Sequence, residues 1–317
     1  MKKILLIATG GTIASVDSGG GLSPEISADK LLESIPAASS QISTVQPFSL
    51  DSTNMTPGHW VTLAGVIRDN WQEYDGFVIT HGTDTMGYGA AALYCLIQSP
   101  DRPVILTGSQ LPMTASDTDA VRNLTDAIRC AEQGRAGVWV VFCGRVIRGD
   151  AARKVHTTSL DAFRGFGRED ETAVEDFCGG QSEKFAGGTV FYNRLDSRAA
   201  LLRLTPGITA ELVYDIGTHV NALIVEGFGL GGIPDCGEPL VHTLTELSHL
   251  GVRIIITTQV FEGGCDLSVY EVGRAALEAG FIPAAGMTSE YAVMRAMWSL
   301  AYSCNYEDFR KLFLAER

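Results

Sequence analysis

The sequence predicts an α/β protein of two domains, each built on a mostly parallel sheet. Three observations carry this. Short, wholly apolar runs alternate with longer amphipathic stretches, the pattern of strands covered on both faces and linked by helices. Many of the apolar runs end directly in glycine. The 317 residues also exceed the ~250–300 at which a single hydrophobic core stops growing.

Residues 4–8 (ILLIA), 77–80 (FVIT), 104–107 (VILT) and 138–143 (VWVVFC) read as buried strands. Between them, 57–73, 84–98 and 119–133 read as helices, the first opened by Thr56 and Pro57. From 144 to 196 the alternation weakens, and Gly187-Gly188 punctuates it. We place the larger N-terminal domain at 1–188, a linker at 189–200 and a smaller α/β domain at 201–317. In the latter, 222–225 and 253–258 read as strands; 238–250, 270–279 and 289–302 read as helices.

Composition narrows the function classes. Hydrophobic residues are 45% and charged residues 19%, which excludes a disordered chain. Lys plus Arg is 24 against 37 Asp plus Glu, a net charge of −13. Such a balance argues against nucleic acid as a partner, since phosphate backbones need clustered cations, and against anionic membranes. Seven cysteines, an odd number with no CxxC, fit reduced thiols and neither a disulfide framework nor a metal site. The apolar start is too short for a signal peptide, and no window offers a membrane span. We expect a cytoplasmic protein.

Four segments carry residues suited to chemistry. Thr9-Gly10-Gly11-Thr12-Ile13-Ala14-Ser15 follows the first strand. It lacks both the dinucleotide fingerprint and a P-loop lysine. Thr12 there fits either a nucleophile beside N–H donors or a helix cap. Thr80-His81-Gly82-Thr83-Asp84-Thr85-Met86 puts Thr83 and Asp84 at a second strand end, as ligand groups or as a cap. His81 there reads as a packed, hydrogen-bonded residue. Asp51-Ser52-Thr53-Asn54 and Arg148–Lys154 taken alone fit a surface loop and a solvated charge run. Lys154 could also supply a partly buried cation for a hydroxyl or for Asp84.

Together the first two segments resemble the two signature motifs of the bacterial-type L-asparaginases. Asp51-Ser52, Thr107-Gly108-Ser109-Gln110-Leu111-Pro112, Lys154 ahead of Asp161-Ala162-Phe163, and Met287-Thr288-Ser289-Glu290 fall in the expected order. The resemblance spans nearly the whole chain and is closest to the type I, cytoplasmic branch. It implies a two-domain asparaginase-like fold with a flavodoxin/Rossmann-like second domain. It implies hydrolysis of L-asparagine to L-aspartate and ammonia, with Thr12 as nucleophile. Thr83, Asp84 and Lys154 would form a second catalytic cluster. Gly11, Asp51, Ser52, Thr83, Asp84 and Ser109 would bind substrate, backbone groups near Gly11 and Ser109 holding the amide and its oxyanion. It implies no metal, no cofactor, and a homodimer or homotetramer.

The chain departs from that family twice. The lid after Thr12, residues 16–25 (VDSGGGLSPE), contains no tyrosine, and Leu22 stands at the position where the family's lid tyrosine helps activate the nucleophile. Ser23, Glu25, Tyr291 or the Thr83–Asp84–Lys154 cluster are the candidates for that task. In the second domain, Glu226 stands where some type I members use an arginine to bind a second asparagine, so no such activation is expected. Two other readings remain in play: a related amidase of the same fold, acting on glutamine or a larger amide, and a non-catalytic sensor of asparagine or aspartate.

Overall fold

The computed structural model describes the whole chain except Ser18, Gly20, Ala37, 167–169, 181–187, Asp235, Cys236, Glu238, Glu316 and Arg317; the side chains of Asp17 and Leu22 are also left undescribed. Part of the lid, Cys236 and the expected helix start at 238 therefore lie outside the described residues. The chain forms two compact units, Met1–Asn193 and Arg194–Arg317.

The first unit is organised by a seven-stranded sheet. Its order from one edge is Gln41–Val45, Lys3–Ala8, Gly76–Thr80, Pro103–Thr107, Gly137–Phe142, Arg145–Arg148 and Glu171–Ala173. The first five are parallel, and the last two join by antiparallel pairing. Alternation along the strands divides the core. Ile4, Leu6, Val78 and Ile105 share one face under the helix Ala120–Gln133, packing with Leu124, Ala127 and Ile128. Leu5, Ile7, Phe77, Ile79, Val104 and Leu106 are also buried, on the opposite face. Burial on both faces is why these strands are apolar without interruption.

The topology creates a crevice. From the first strand the chain moves outward to Gln41–Val45, then crosses back to Gly76–Thr80 on the first strand's other side. The loops after Ala8 and after Thr80 thus leave adjacent strand ends in opposite directions. In open α/β sheets this switch point is where ligands bind.

The second unit carries four parallel strands in sequential order: Ala199–Arg203, Ala222–Gly227, Arg253–Thr258 and Ile282–Pro283. Leu223, Val225, Ile254 and Ile256 pack with Val213, Leu244, Leu247 and Ala276 of the connecting helices. The helix Ser289–Tyr302 packs against the first three strands. Its Arg295 is fully buried, and its guanidinium donates to the carbonyls of Leu312, Phe313 and Ala315 at 2.5, 3.0 and 2.8 Å. Those carbonyls close the C-terminal helix Tyr306–Leu314, whose last turn has no intrahelical donors left for them.

Candidate active site

Glycines decide how closely the loops at the switch point approach. Gly10 and Gly11 have φ of 99° and 77°, a region that L side chains rarely adopt. A Cβ on Gly11 would lie 2.5 Å from the N and Cα of Gly82, and one on Gly10 would lie 2.5 Å from the N and O of Leu50. A Cβ on Gly82 would in turn meet the Ser52 Cβ and Oγ at 2.6 Å. The segments bearing Thr12, Ser52 and Thr83 therefore stack backbone to backbone, because glycine stands at each crossing. Hydrogen bonds fix the stack: Gly11 N–H donates to Leu50 O at 2.9 Å, Leu50 N–H to Thr9 O at 2.9 Å, and the Thr85 hydroxyl to Ser52 O at 2.8 Å.

Thr12 opens a short 3₁₀ turn, Thr12–Ala14, directly after this crossing. It is half-buried, and none of the described residues hydrogen-bonds its hydroxyl. The chain continues as an antiparallel hairpin, Ser15–Asp17 with Leu22–Pro24, in the segment that the resemblance reads as a lid. Two of the candidate activators lie on or just beyond it, and the Ser23 hydroxyl donates to Glu25 Oε1 at 2.5 Å. Tyr291 lies in the second unit, buried near the start of its helix.

Thr83, Asp84 and Lys154 come together. Lys154 Nζ donates to Thr83 Oγ1 at 2.8 Å and to Asp84 Oδ1 at 2.7 Å. Thr83 is buried while Asp84 is exposed, so the cluster has one dry and one wet end. The helix expected from residue 84 begins at Met86, because Thr83 and Asp84 form the turn that meets the lysine. Lys154 closes a two-stranded ribbon, Ala152–Lys154 with Phe163–Gly165, and lies opposite Phe163. Asp161, at the turn of that ribbon, accepts from Arg164 at 2.6 and 2.7 Å and from Arg145 Nε at 3.2 Å. The Arg164 hydrogen bonds above all hold the Asp161 carboxyl below the usual carboxylate range.

Asp51 Oδ1 caps the 3₁₀ turn Ser52–Asn54 by accepting from the N–H and hydroxyl of Thr53, both at 2.8 Å. Ser52 is buried against Gly82. The Ser109 hydroxyl donates to Leu111 O at 2.5 Å. Gly11 keeps its N–H on Leu50, so its part is to admit Gly82 rather than to present a donor. His81 is fully buried and lies behind the Thr83 turn. Burial pushes its imidazole down to about 4, and Nδ1 lies 2.8 Å from Gly82 O. Among the described residues no group of three or more His, Cys, Asp or Glu side chains could hold a metal ion.

One residue of the cluster went unread in the sequence. Gln110 Oε1 lies 3.3 Å from Thr83 Oγ1, and its Nε2 donates to Thr157 O and Ser159 O at 3.2 and 3.0 Å. Its neighbour Ser109 enters as a site residue only through the family resemblance. No local pattern marks a glutamine that works through loops 27 and 47 residues away.

Residues 3–177 match the family described as Asparaginase, N-terminal, and residues 198–313 match that described as Glutaminase/Asparaginase C-terminal domain. The chain belongs to the asparaginase family. It is 37% identical over 316 residues to the L-asparaginase of Thermococcus kodakarensis, covering 98% of this chain and 96% of that protein. A solved thermostable L-asparaginase from that organism superposes with a TM-score of 0.91, covering 99% and 97% of the two chains. L-asparaginase I from Vibrio cholerae superposes at 0.86 with 30% identity, covering 100% and 98%. The chain is also 32% identical to a component of the glutamyl-tRNA(Gln) amidotransferase of Pyrococcus abyssi, covering 99% of this chain but 75% of that one. Among the described residues no helix is long and apolar enough to cross a membrane.

Proposed function

We propose that this asparaginase-family hydrolase is an L-asparagine amidohydrolase, releasing L-aspartate and ammonia. The observation that carries the reading is the Lys154–Thr83–Asp84 cluster at the switch point, in the loop that meets the Thr12 loop at Gly11 and Gly82.

In this account the Thr12 hydroxyl attacks the side-chain amide carbon, and its proton passes to the departing nitrogen. The carbonyl oxygen becomes an oxyanion, which needs donors held in place in advance. With the Gly11 N–H donated to Leu50, the Ser109 hydroxyl to Leu111 and the Gln110 and Leu111 N–H groups to Asp119, the backbone N–H groups of Thr12 and Ser109 would serve as those donors. Ammonia leaves, an acyl-threonine ester remains, and water adds to it to release aspartate and restore the hydroxyl. The Lys154 cation, anchored by Asp84, supplies fixed positive charge beside Thr83. Asp51, Ser52 and Asp84 hold the α-carboxylate and α-ammonium. Catalysis requires no metal or cofactor in this scheme, and the active form is a homodimer or homotetramer working in the cytoplasm.

A component of a tRNA-dependent amidotransferase is the second reading, supported by the 32% identity. A net charge of −13 favours a small free substrate over charged tRNA. Ammonia release from free asparagine and glutamine tests both: the proposal expects turnover of asparagine with the higher kcat/KM. Turnover of neither, with glutamyl-tRNA required, would support the second reading.

A further inference from the structure

The hydrogen bonds around Gln110 fix the direction of every proton in the cluster. Carbonyl oxygens only accept, so the atom facing Thr157 O and Ser159 O is the amide NH₂. That leaves Oε1, an acceptor, facing Thr83 Oγ1. The Thr83 hydroxyl must therefore donate to Gln110. Lys154 as an ammonium has donors alone, so Thr83 Oγ1 accepts from it at 2.8 Å. Thr83 thus rests with its proton turned away from the lysine. The cluster rests as a cation beside an oriented hydroxyl, not as a base beside a nucleophile.

Gln110 is itself held from below. Its N–H lies 3.1 and 3.0 Å from the two Asp119 carboxylate oxygens, and Leu111 N–H donates to Asp119 Oδ1 at 3.0 Å. Asn123 Nδ2 donates to Asp119 Oδ2 and to Gly108 O, both at 3.0 Å, and Asn123 is fully buried. The backbone that carries the Gln110 side chain is thus fixed by packed groups.

We propose that Gln110 is a positioning residue. It sets the proton direction of Thr83, and it ties the 157–159 loop over the Thr83–Asp84–Lys154 cluster. This rests on the amidohydrolase reading, and it leaves the nucleophile's role to Thr12.

The test compares wild type, Gln110→Met and Gln110→Glu in steady-state asparagine hydrolysis from about pH 4.5, near the ordinary glutamate value of about 4.3, to about pH 8. Met keeps the length and removes every polar contact. Its kcat should fall about tenfold or more with KM within about threefold, and the ratio to wild type should be flat with pH. Ionised Glu places a carboxylate against two carbonyls, so it should be as impaired as Met at high pH. Protonated, it donates to one carbonyl and accepts from Thr83. Its activity relative to wild type should then climb about fivefold as pH falls. The other ionisable groups on the elements meeting Gln110 are Asp84, Asp117, Asp119, Arg153, Lys154, His156 and Asp161; all are common to wild type and both variants, and the uncharged Met variant reports any pH dependence they bring. A Met variant within about twofold of wild-type kcat, or a Glu ratio flat with pH, overturns the proposal. Wild type releasing no ammonia from asparagine or glutamine would instead sink the functional reading. Crystal structures of wild type and Gln110→Met would then decide this one: Thr83 and the 157–159 loop shifted supports it, both unmoved overturns it.

Discussion

Trp60 Nε1 donates to His81 Nε2 at 3.3 Å, and both residues are buried. An indole only donates, so Nε2 accepts and the imidazole proton sits on Nδ1, directed at Gly82 O 2.8 Å away. Behind the Thr83 turn there is thus a neutral histidine with both nitrogens used. Protonating it breaks the indole bond and buries a charge.

His81 makes stability fall in acid. Its folded value is about 4 against 6.5 when unfolded, so between those values the unfolded chain binds a proton that the folded chain does not. The contribution is complete above about pH 6.5 and is lost as pH falls toward 4, roughly 3 kcal/mol in all. Urea unfolding at about pH 7 and pH 4.5 should show wild type losing about 2–3 kcal/mol more than His81→Gln over the same interval. Equal losses would mean that His81 is not held neutral.

Gly82→Ala puts a methyl 2.6 Å from the Ser52 side chain. Overpacking of this kind costs about 1–3 kcal/mol, and here it displaces a proposed substrate contact. The variant should unfold earlier on heating. Adding Ser52→Gly should recover most of the stability but not the activity. Recovery of both would remove Ser52 from substrate binding.

Asp161 acts at one remove. Its carboxylate gathers Arg145 and Arg164 around the ribbon that carries Lys154. Asp161→Asn should loosen that ribbon and lower kcat on the order of tenfold, since small misplacement of a charged group costs rate. KM should change less. Crystal structures would show Lys154 Nζ displaced from Thr83 Oγ1. An unmoved lysine with a lowered kcat would contradict this route.

Arg295→Met leaves three helix-end carbonyls without their donor. At about 1–3 kcal/mol for a buried group left unpaired, and with Phe313 buried, Leu312 half-buried and Ala315 exposed, the loss should be about 1–3 kcal/mol, read as a lower unfolding midpoint. Lysine should not rescue it, because one ammonium lacks the guanidinium's planar fork.

The buried strands were legible because each is covered on both faces. The apolar run 4–8 became Lys3–Ala8, and 253–258 matched Arg253–Thr258. The helix 289–302 matched Ser289–Tyr302. The edge strand Gln41–Val45 escaped: a half-buried QISTV has neither a long apolar run nor a clean alternation. The helix 57–73 was read too long; the helix ends at Asp69 and a tight turn carries the chain on to Glu73. Residues 97–98, read as helix, form a strand with Val190–Phe191, a pairing no local pattern announces. In the site, Thr12, Thr83, Asp84 and Lys154 came from the family resemblance, since each segment taken alone also fits a cap, a loop or a solvated charge run. Gln110, His81 as a tautomer-fixed support, and Asp161 as a clamp take their roles from partners distant in sequence.

Whether Thr12 attacks and the Lys154 cluster assists is decided by ammonia release from asparagine. Wild type is compared with Thr12→Ala and Lys154→Met, each checked to be folded. Each variant should lose about 10²-fold or more in kcat. A rate within about threefold of wild type for either would contradict the assignment of that residue's role.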